Sequence, residues 1–541
     1  MDTDLSDIGI DLVKRRHFLQ VAGTGAAGLM LSGGYTSHAQ APSIAAPGKF
    51  REEGFVDYEA FGAKGNGVAD DLQAIVDAHA YANAHNLPVR SRPGAGYHLG
   101  YRKLTATIST DTDWNTSRFI IDDSDLDKLE SHKHALFEVR SQLPPVELDL
   151  PPLSRDLTKI DVHPEQDCYV RVRSKGKRIY VRRGLNPTKG TLPGDCFILR
   201  TDGSIEGPID WEHNEYDYIR AHAIDDHRLT VRGGVFETFA NRMHRERGSS
   251  YWSRGIRVRR SNTEVVGVTH YVVGETDVGN PYSGFYSAGG CANVTFRDCF
   301  ATGHKTYRTI GRANRPVSQG TYDFNANGVV NFSMIGCTQN GILDRTRWGI
   351  IGTNHCKNIL LEDCRLSRMD THMGVSGGYT IRRTTLGHAG LNAIGRGKLI
   401  VEDSTLYGGS LIGLRGDYGS TWEGEVVIRN SRWIPRAGRQ TTPRMIGLRN
   451  DGMHDFGYPC YMPEKITIDG LFVDDSNHPE DYEGMYFLSN PDGRGALPAK
   501  RPYPYRHTRK IVVKDLTIAS GLPPKVCSND KVSESVTVEQ G

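Results

Sequence analysis

Three hexapeptides, Leu361–Leu366 (LEDCRL), Ile381–Leu386 (IRRTTL) and Val401–Leu406 (VEDSTL), follow one another at a fixed spacing of twenty residues. Looser copies occur at Val231–Phe236, Val265–His270, Phe296–Ala301, Ile428–Trp433, Ile468–Val473 and Val513–Ile518. Most place an apolar residue first, a polar residue next, then Asp, Asn or Gly, then a small or apolar residue. That order describes a strand end, a tight bend and a new strand. One such bend per roughly twenty to forty-five residues predicts a solenoid whose coils pair in parallel. Two longer phrases, CANVTFRDC (Cys291–Cys299) and CKNILLEDC (Cys356–Cys364), recur for the same reason: each coil sets the same residue type at the same angular position. Asn293 and Asn358 are therefore expected in an amide ladder, and the cysteines in an interior stack. The nine cysteines include no CxxC pair and no His/Cys cluster with zinc spacing, so core thiols are expected rather than disulfides or metal ligands.

The rest of the composition agrees. The 541-residue chain has 61 glycines and few long helix-periodic stretches, which favours strands and turns. Its 38% hydrophobic content is enough for a core, and a net charge of +2 leaves any electrostatic preference to the placement of the arginines. Lys14-Arg15-Arg16-His17-Phe18-Leu19-Gln20, followed by a Gly/Ala-rich apolar run to Leu31 and by Ala39-Gln40-Ala41, resembles a twin-arginine export signal. The resemblance implies passage through the Tat translocon, cleavage between Ala41 and Ala46, and a periplasmic or secreted protein. The apolar run is too short for a membrane anchor.

Phe61–Ile75 (FGAKGNGVADDLQAI) resembles the opening of the pectate-lyase-like superfamily of right-handed parallel β-helices, and Pro93–Tyr97 loosely matches that family's later PxGxY phrase. Asn66 and Leu72 depart from the usual Asp and Thr. A helix is readable here independently: Asp70 can cap it, Gln73 holds the reciprocal capping-box position, and Leu72, Ile75, Val76 and Ala80 share a face. The expected fold is all-β: a right-handed single-stranded parallel β-helix with an N-terminal capping helix and a β-rich insertion. The expected divisions are a signal peptide over 1–46, cap and first coils over 50–120, insertion over 121–226, and the main solenoid with its C-terminal cap over 227–541. Within the insertion, alternation over Tyr169–Arg183 with Ser-Lys-Gly-Lys at its centre predicts an antiparallel hairpin, whose basic face is read as solvated before it is read as a grip for an anionic chain.

In such a solenoid the core is filled by inward residues, so a site must be built from outward ones stacked across neighbouring coils. The repeat makes Arg368, His388 and Gly408 equivalent, and likewise His372, Asn392 and Ile412. Usable groups are densest in the middle coils, at Gly303–Arg308, Asp344–Trp348, Ser367–His372 and Gly387–His388. His372, His388, Arg368, Asp370 and Asp344 are the candidate catalytic residues. His304, Lys305, Tyr307, Arg308, Arg347, Trp348, Asn392 and Arg415 are the candidate substrate contacts, although Arg415 and Arg449 each precede an Asp closely enough to pair with it.

The family implies carbohydrate chemistry without choosing a reaction. Elimination from a uronic acid needs a cation on the carboxylate, a base and an acid; arginine forks and histidine or tyrosine supply these. A lyase acting on an anionic polysaccharide is the leading expectation. Hydrolysis would need paired carboxyls, and Asp344 and Asp370 in adjacent coils are the candidates. A non-catalytic carbohydrate-binding or spike-like β-helix would instead offer aromatic platforms, for which Tyr282, Phe285, Tyr286, Trp348 and Trp422 are available. No metal ligand is assigned and no cofactor is required, although Ca2+ could replace arginine at a uronate; Glu362-Asp363 and Glu402-Asp403 are read as turn formers. No nucleic-acid motif is present.

Overall fold

The computed structural model describes residues 50, 52–100, 102–122, 134–181, 190–239, 254–275, 284–303, 305–310, 314, 316–320, 322–347, 352–419, 421–435, 441–448, 458–491 and 506–541. The expected export signal, Tyr282, His304, Trp348 and Arg449 lie outside these residues.

Tyr286–Arg297 pairs in parallel with Phe324–Ile335, which continues through Cys356–Glu362, Val375–Arg382, Gly395–Glu402, Trp422–Trp433, Lys465–Val473 and Lys510–Ile518. Parallel neighbours joined by crossovers coil right-handedly, and the result is a right-handed parallel β-helix. Helix Leu72–His85 lies against the first coils, burying Leu72, Ile75, Ala78 and Ala82. Its start differs from the expected capping box. Asp70 accepts from the Leu72 amide at 3.1 Å, Asp71 turns back to the Lys64 and Gly65 amides, and Gln73 bonds Asp77 one turn ahead.

The hexapeptide's third residue is the bend. Asp298, Gly336, Asp363, Arg383, Asp403, Asn430 and Gly470 all have φ between 42° and 90°, the left-handed region that Asn, Asp and Gly tolerate best. The next residue points inward. Cys299, Cys337 and Cys364 donate to carbonyls of the preceding coil (Val265, Phe296 and Met334), and Thr384, Ser404 and Ser431 continue the column with hydroxyls that accept from the preceding coil's amide. All nine cysteines are buried free thiols.

A second column is amide. Asn293 donates to Asn262 at 2.8 Å, Asn331 to Asn293 at 2.8 Å and Asn358 to Asn331 at 3.0 Å. The end of the ladder is closed by the Gly378 amide on Asn358 Oδ1.

A separate antiparallel sheet has the order Ile205–Glu206, Gly194–Leu199, Cys168–Ser174, Tyr216–Ala223, Pro145–Val146. Among the described residues the expected hairpin over Tyr169–Arg183 does not form: Cys168–Ser174 pairs with Gly194–Leu199 and Tyr216–Ala223, where Val170 and Val172 pack with Phe197, Leu199 and Ala221, and Ile179 bridges Thr191 instead. Phe137–Val139, by contrast, is a coil strand, paired with Ala106–Ile108 and Ile256–Val258.

This sheet lies on the outer face of the coils, and the two Cys phrases explain how. Ala292, Val330, Lys357 and Ser376 are successive neighbours across the strands. The first two pack on Tyr169, Cys196 and Ile198. Lys357 instead inserts its ammonium 2.7 Å from Asp195 and 3.5 Å from Asp210, and Ser376 donates to Asp210 at 2.7 Å. A buried charge is tolerated when paired and hydrogen-bonded in this way.

Candidate active site

Along the face formed by Ile256–Val258, Tyr286–Ala288 and their successors, the outward positions line up as Glu138, Arg257, Ser287, Asn325, Gly352 and Asp370. Inward neighbours such as Val258, Ala288, Ala326 and Met369 belong to the core. Asp370 is therefore an outward residue, and it is fully buried because other side chains cover it.

Four groups do the covering. Arg368 Nη2 lies 2.5 Å from Asp370 Oδ2, and Arg415 Nη1 donates to both carboxylate oxygens at 3.1 and 2.9 Å. His372 Nε2 is 3.2 Å away, and the Tyr322 hydroxyl donates at 3.2 Å. Tyr322 Oη and His372 Nε2 are themselves 2.8 Å apart. The Tyr418 ring stacks under His372 at 5.5 Å, and the Arg415 guanidinium lies over the same ring at 5.7 Å. Arg415 and Tyr322 are the members that reach the half-buried surface.

The electrostatics follow from these contacts. Burial alone would raise the Asp370 carboxyl, but Arg368, Arg415 and His372 outweigh it and hold it well below the usual carboxylate range. Burial and then Arg415 push His372 below its ordinary value, against the pull of Asp370. At neutral pH Asp370 is therefore a carboxylate and His372 a neutral imidazole.

The sequence-expected residues separate into three groups. Arg368, Asp370, His372 and Arg415 converge. Asp344, Arg347 and His388 form a second set, in which Asp344 accepts from the Thr346 amide and hydroxyl and pairs with Arg347 at 3.3 Å, and His388 bonds the Arg347 carbonyl at 2.8 Å. Arg347 also donates to the Gly303 carbonyl, and the Lys305 backbone bridges to Arg347. Asn392 contributes its carbonyl to Thr371 and Tyr379. Tyr307 and Arg308 lie in strand Tyr307–Ile310, paired antiparallel with Pro316–Gln319, and their side chains lie outside the described part.

The twenty-residue equivalences for these positions are corrected by the register. Leu366 pairs with Leu386, but after a register shift Arg368 pairs with Gly390 and not with His388. That shift carries His388 away from the Asp370 centre. Three expected sugar platforms are also corrected: Tyr286 stacks on Phe324 and Trp422 packs near Tyr379 inside the coils, while Phe285 is buried against His270. The aromatic wall beside the centre is instead Tyr418, Tyr180, Tyr458 and Trp211, contributed in part by the antiparallel sheet's loops.

A Ser–His–Asp chain also exists in the module, with Ser174 Oγ 2.6 Å from His213 Nδ1 and His213 Nε2 2.8 Å from Asp195. It is sealed, with His213 fully buried and Lys357 on the aspartate, and it holds the module to the coils. Among the described residues no three His, Cys, Asp or Glu side chains converge as a metal set. Glu362, Asp363 and Glu402 are engaged by Arg382 and Arg383. No helix among the described residues is long and apolar enough to cross a membrane.

The architecture is that of the right-handed parallel β-helices. No family model matches the chain. A stretch of 94 residues is 33% identical to a capsule KL64-specific depolymerase of Klebsiella phage P510, covering 15% of this chain and 9% of that protein; the chain thus matches under a tenth of that relative's length. Among solved structures it is similar to the tailspike gp61 of Pseudomonas phage phi297 (13% identity, 87% of this chain and 84% of that one, TM-score 0.47). It is also similar to the gp54 tailspike of Acinetobacter baumannii bacteriophage AP22, solved with A. baumannii capsular saccharide (9% identity, 92% and 82%, TM-score 0.42).

Proposed function

We propose that the protein is a polysaccharide lyase that cleaves a uronic-acid-containing polysaccharide by β-elimination at the Tyr322–His372–Asp370–Arg415 centre. The observation that carries this reading is the 2.8 Å contact between a phenol and an imidazole held neutral, set beside two guanidiniums.

Arg415, at the edge of the cluster, pairs with the uronate carboxylate and so lowers the cost of ionising the neighbouring C–H. Tyr322 faces the sugar and His372 lies behind it as the proton acceptor for the phenol. The C5–H bond breaks, its electron pair forms the C4–C5 double bond, and the C4–O bond breaks with its pair leaving on oxygen. The abstracted proton enters the Tyr322–His372 pair, which returns one to the departing oxygen. Asp370 is a positioning residue: its carboxylate fixes Arg368 and Arg415 in one place and pairs with His372 Nε2 once that nitrogen has taken the phenol proton. Similarity to a capsule depolymerase over part of the chain supports a polysaccharide as substrate.

Hydrolysis through Asp344 and Asp370 would require one carboxyl kept protonated. Both are instead held low, Asp344 by Thr346 and Arg347 against the upward effect of burial and Asp370 by its arginines in the same way. The test is to incubate the mature protein with a panel of uronate polymers and follow unsaturated-product absorbance and reducing ends together. Both rising establishes elimination; reducing ends alone reject it in favour of hydrolysis. Export by the twin-arginine route is proposed with this reading, since the polymer lies outside the cytoplasm.

A further inference from the structure

The row of outward positions that contains Asp370 runs on, in the direction of the N-terminus, to a second concentration of charge. From Asp370 it passes Gly352, Asn325 and Ser287 to reach Arg257. Four strand spacings of about 4.8 Å place Arg257 roughly 19 Å from Asp370 along the same face. The polar residues between the two ends, Ser287 and Asn325, are half-buried.

At the far end one carboxylate, Glu138, is shared by three arginines. Arg140 Nε lies 2.6 Å from it, Arg259 Nε 3.1 Å and Arg257 Nη1 3.8 Å. The antiparallel sheet adds to the same patch from above. Arg220 is exposed, with its guanidinium 4.8 Å from the Tyr218 ring centre, and His222 on the same strand is pushed down by burial and by Arg220, Arg259 and Arg140 around it. Burial pushes Arg257 down as well, with Arg259 and Arg140 adding to the effect against Glu138. Three guanidiniums on one carboxylate, with Arg220 added on the neighbouring sheet beside His222, leave an excess of positive charge that an added anion relieves, and planar forks suit carboxylate or sulfate.

We propose that Arg140, Arg220, Arg257 and Arg259 form a remote subsite that grips an acidic group of the polysaccharide about four strands along the same face from the reacting bond. The inference rests on the reading of the substrate as an anionic polysaccharide, and it adds that recognition extends over several sugar rings and is set at the junction of the two sheets. An enzyme with this subsite favours long anionic chains over short ones.

The test uses the full mature chain and two probes, dextran sulfate and neutral dextran of matched length, with binding measured at low salt. The variant is Arg140→Gln combined with Arg220→Gln, two exposed side chains whose loss leaves Glu138 paired with Arg257 and Arg259. Arg509→Gln, at an exposed arginine paired with Glu464, is the control. Wild type is expected to bind dextran sulfate over dextran, and the double variant to bind it about tenfold more weakly or worse, while the control stays within about twofold. A double variant that binds like wild type, or a control that loses as much, overturns the subsite. The choice of probe keeps the two questions apart: dextran sulfate carries no uronate to eliminate, so its binding reads the subsite alone, while turnover on uronate polymers is measured separately. If no uronate polymer is cleaved by wild type yet the arginine variant loses binding, the elimination reading fails and the subsite stands.

Discussion

Tyr322 and His372, 50 residues apart in the chain, meet at 2.8 Å through Oη and Nε2 above a carboxylate that both touch. Because the phenol is the more accessible partner, removing only its oxygen isolates the chemistry from the fold. Tyr322→Phe is expected to lower kcat on the cleaved polymer by about 10²–10⁴, the range for a lost proton-transfer group. The thermal midpoint should stay near that of wild type. Retained turnover in this variant would remove Tyr322 from the mechanism.

Asp370 should behave in the opposite way. It anchors two guanidiniums and an imidazole in a dry site, so Asp370→Ala leaves buried positive charge without a counter-ion. The expected cost is about 3–5 kcal/mol of stability, read from the urea midpoint, together with loss of turnover. A variant as stable as wild type would mean that water already reaches the cluster.

Activity should fall on the acid side as His372 gains a proton. Its pKa lies below the ordinary 6.5 in a site faced by Asp370, Arg368, Arg415, Tyr322 and Tyr418. The acid limb of kcat/KM is therefore expected below pH 6.5. A limb above that value would assign the titration to another group.

Stability has its own pH window. Burial pushes His79 down to about 3 and His355 down to about 4, from 6.5. Below pH 6.5 the unfolded chain takes up protons that the folded one refuses, so stability declines as pH falls from 6.5 toward 4. Asp195, at about 2 in the fold because Lys357 and His213 outweigh burial, keeps its full contribution above pH 3.8 and loses it below. Denaturant midpoints measured from pH 7 to pH 4 should decline across that range; a flat profile would show that these histidines are protonated when folded.

Asn331 is an inner rung of the amide ladder and sits at φ 59°. Asn331→Ala breaks three side-chain bonds, to Asn293, Asn358 and Glu206, and puts in the left-handed region a residue that tolerates it less well than Asn, with an expected loss of about 2–4 kcal/mol. Asn331→Gly, which removes the same bonds but adopts positive φ freely, should cost less. Equal losses would mean that the conformation is not strained.

The coils were legible because their repeat acts on every turn. The bend at Asp363 or Asp403 needs a residue that tolerates positive φ, and the next must be small enough to enter the core, so the pattern recurs in the letters. The ladder was readable at Asn293 and Asn358, whereas Asn262 and Asn331 lie outside the two matching phrases. At the site, Arg368, Asp370 and His372 were found by local density. Tyr322 and Tyr418 were not, since nothing near them in sequence shows that separate coils bring them to His372. His388 was misplaced for a geometric reason: a shift after Leu366 breaks the twenty-residue period just where the site begins. The antiparallel sheet was misread because alternation in Tyr169–Arg173 specifies a strand without specifying its partner.

Lys357 gives the solenoid a fixed ruler. Elsewhere a coil added or deleted shifts later coils by one strand spacing and leaves each with an equivalent neighbour. Between Ala292 and Lys357 the overlying sheet demands an apolar contact at one step and an ammonium between Asp195 and Asp210 two steps on. A coil can therefore be added or removed beyond Val473, past the last contact of Tyr458 and Cys460 with Tyr180 and Trp211, while the number of coils beneath the second sheet is locked.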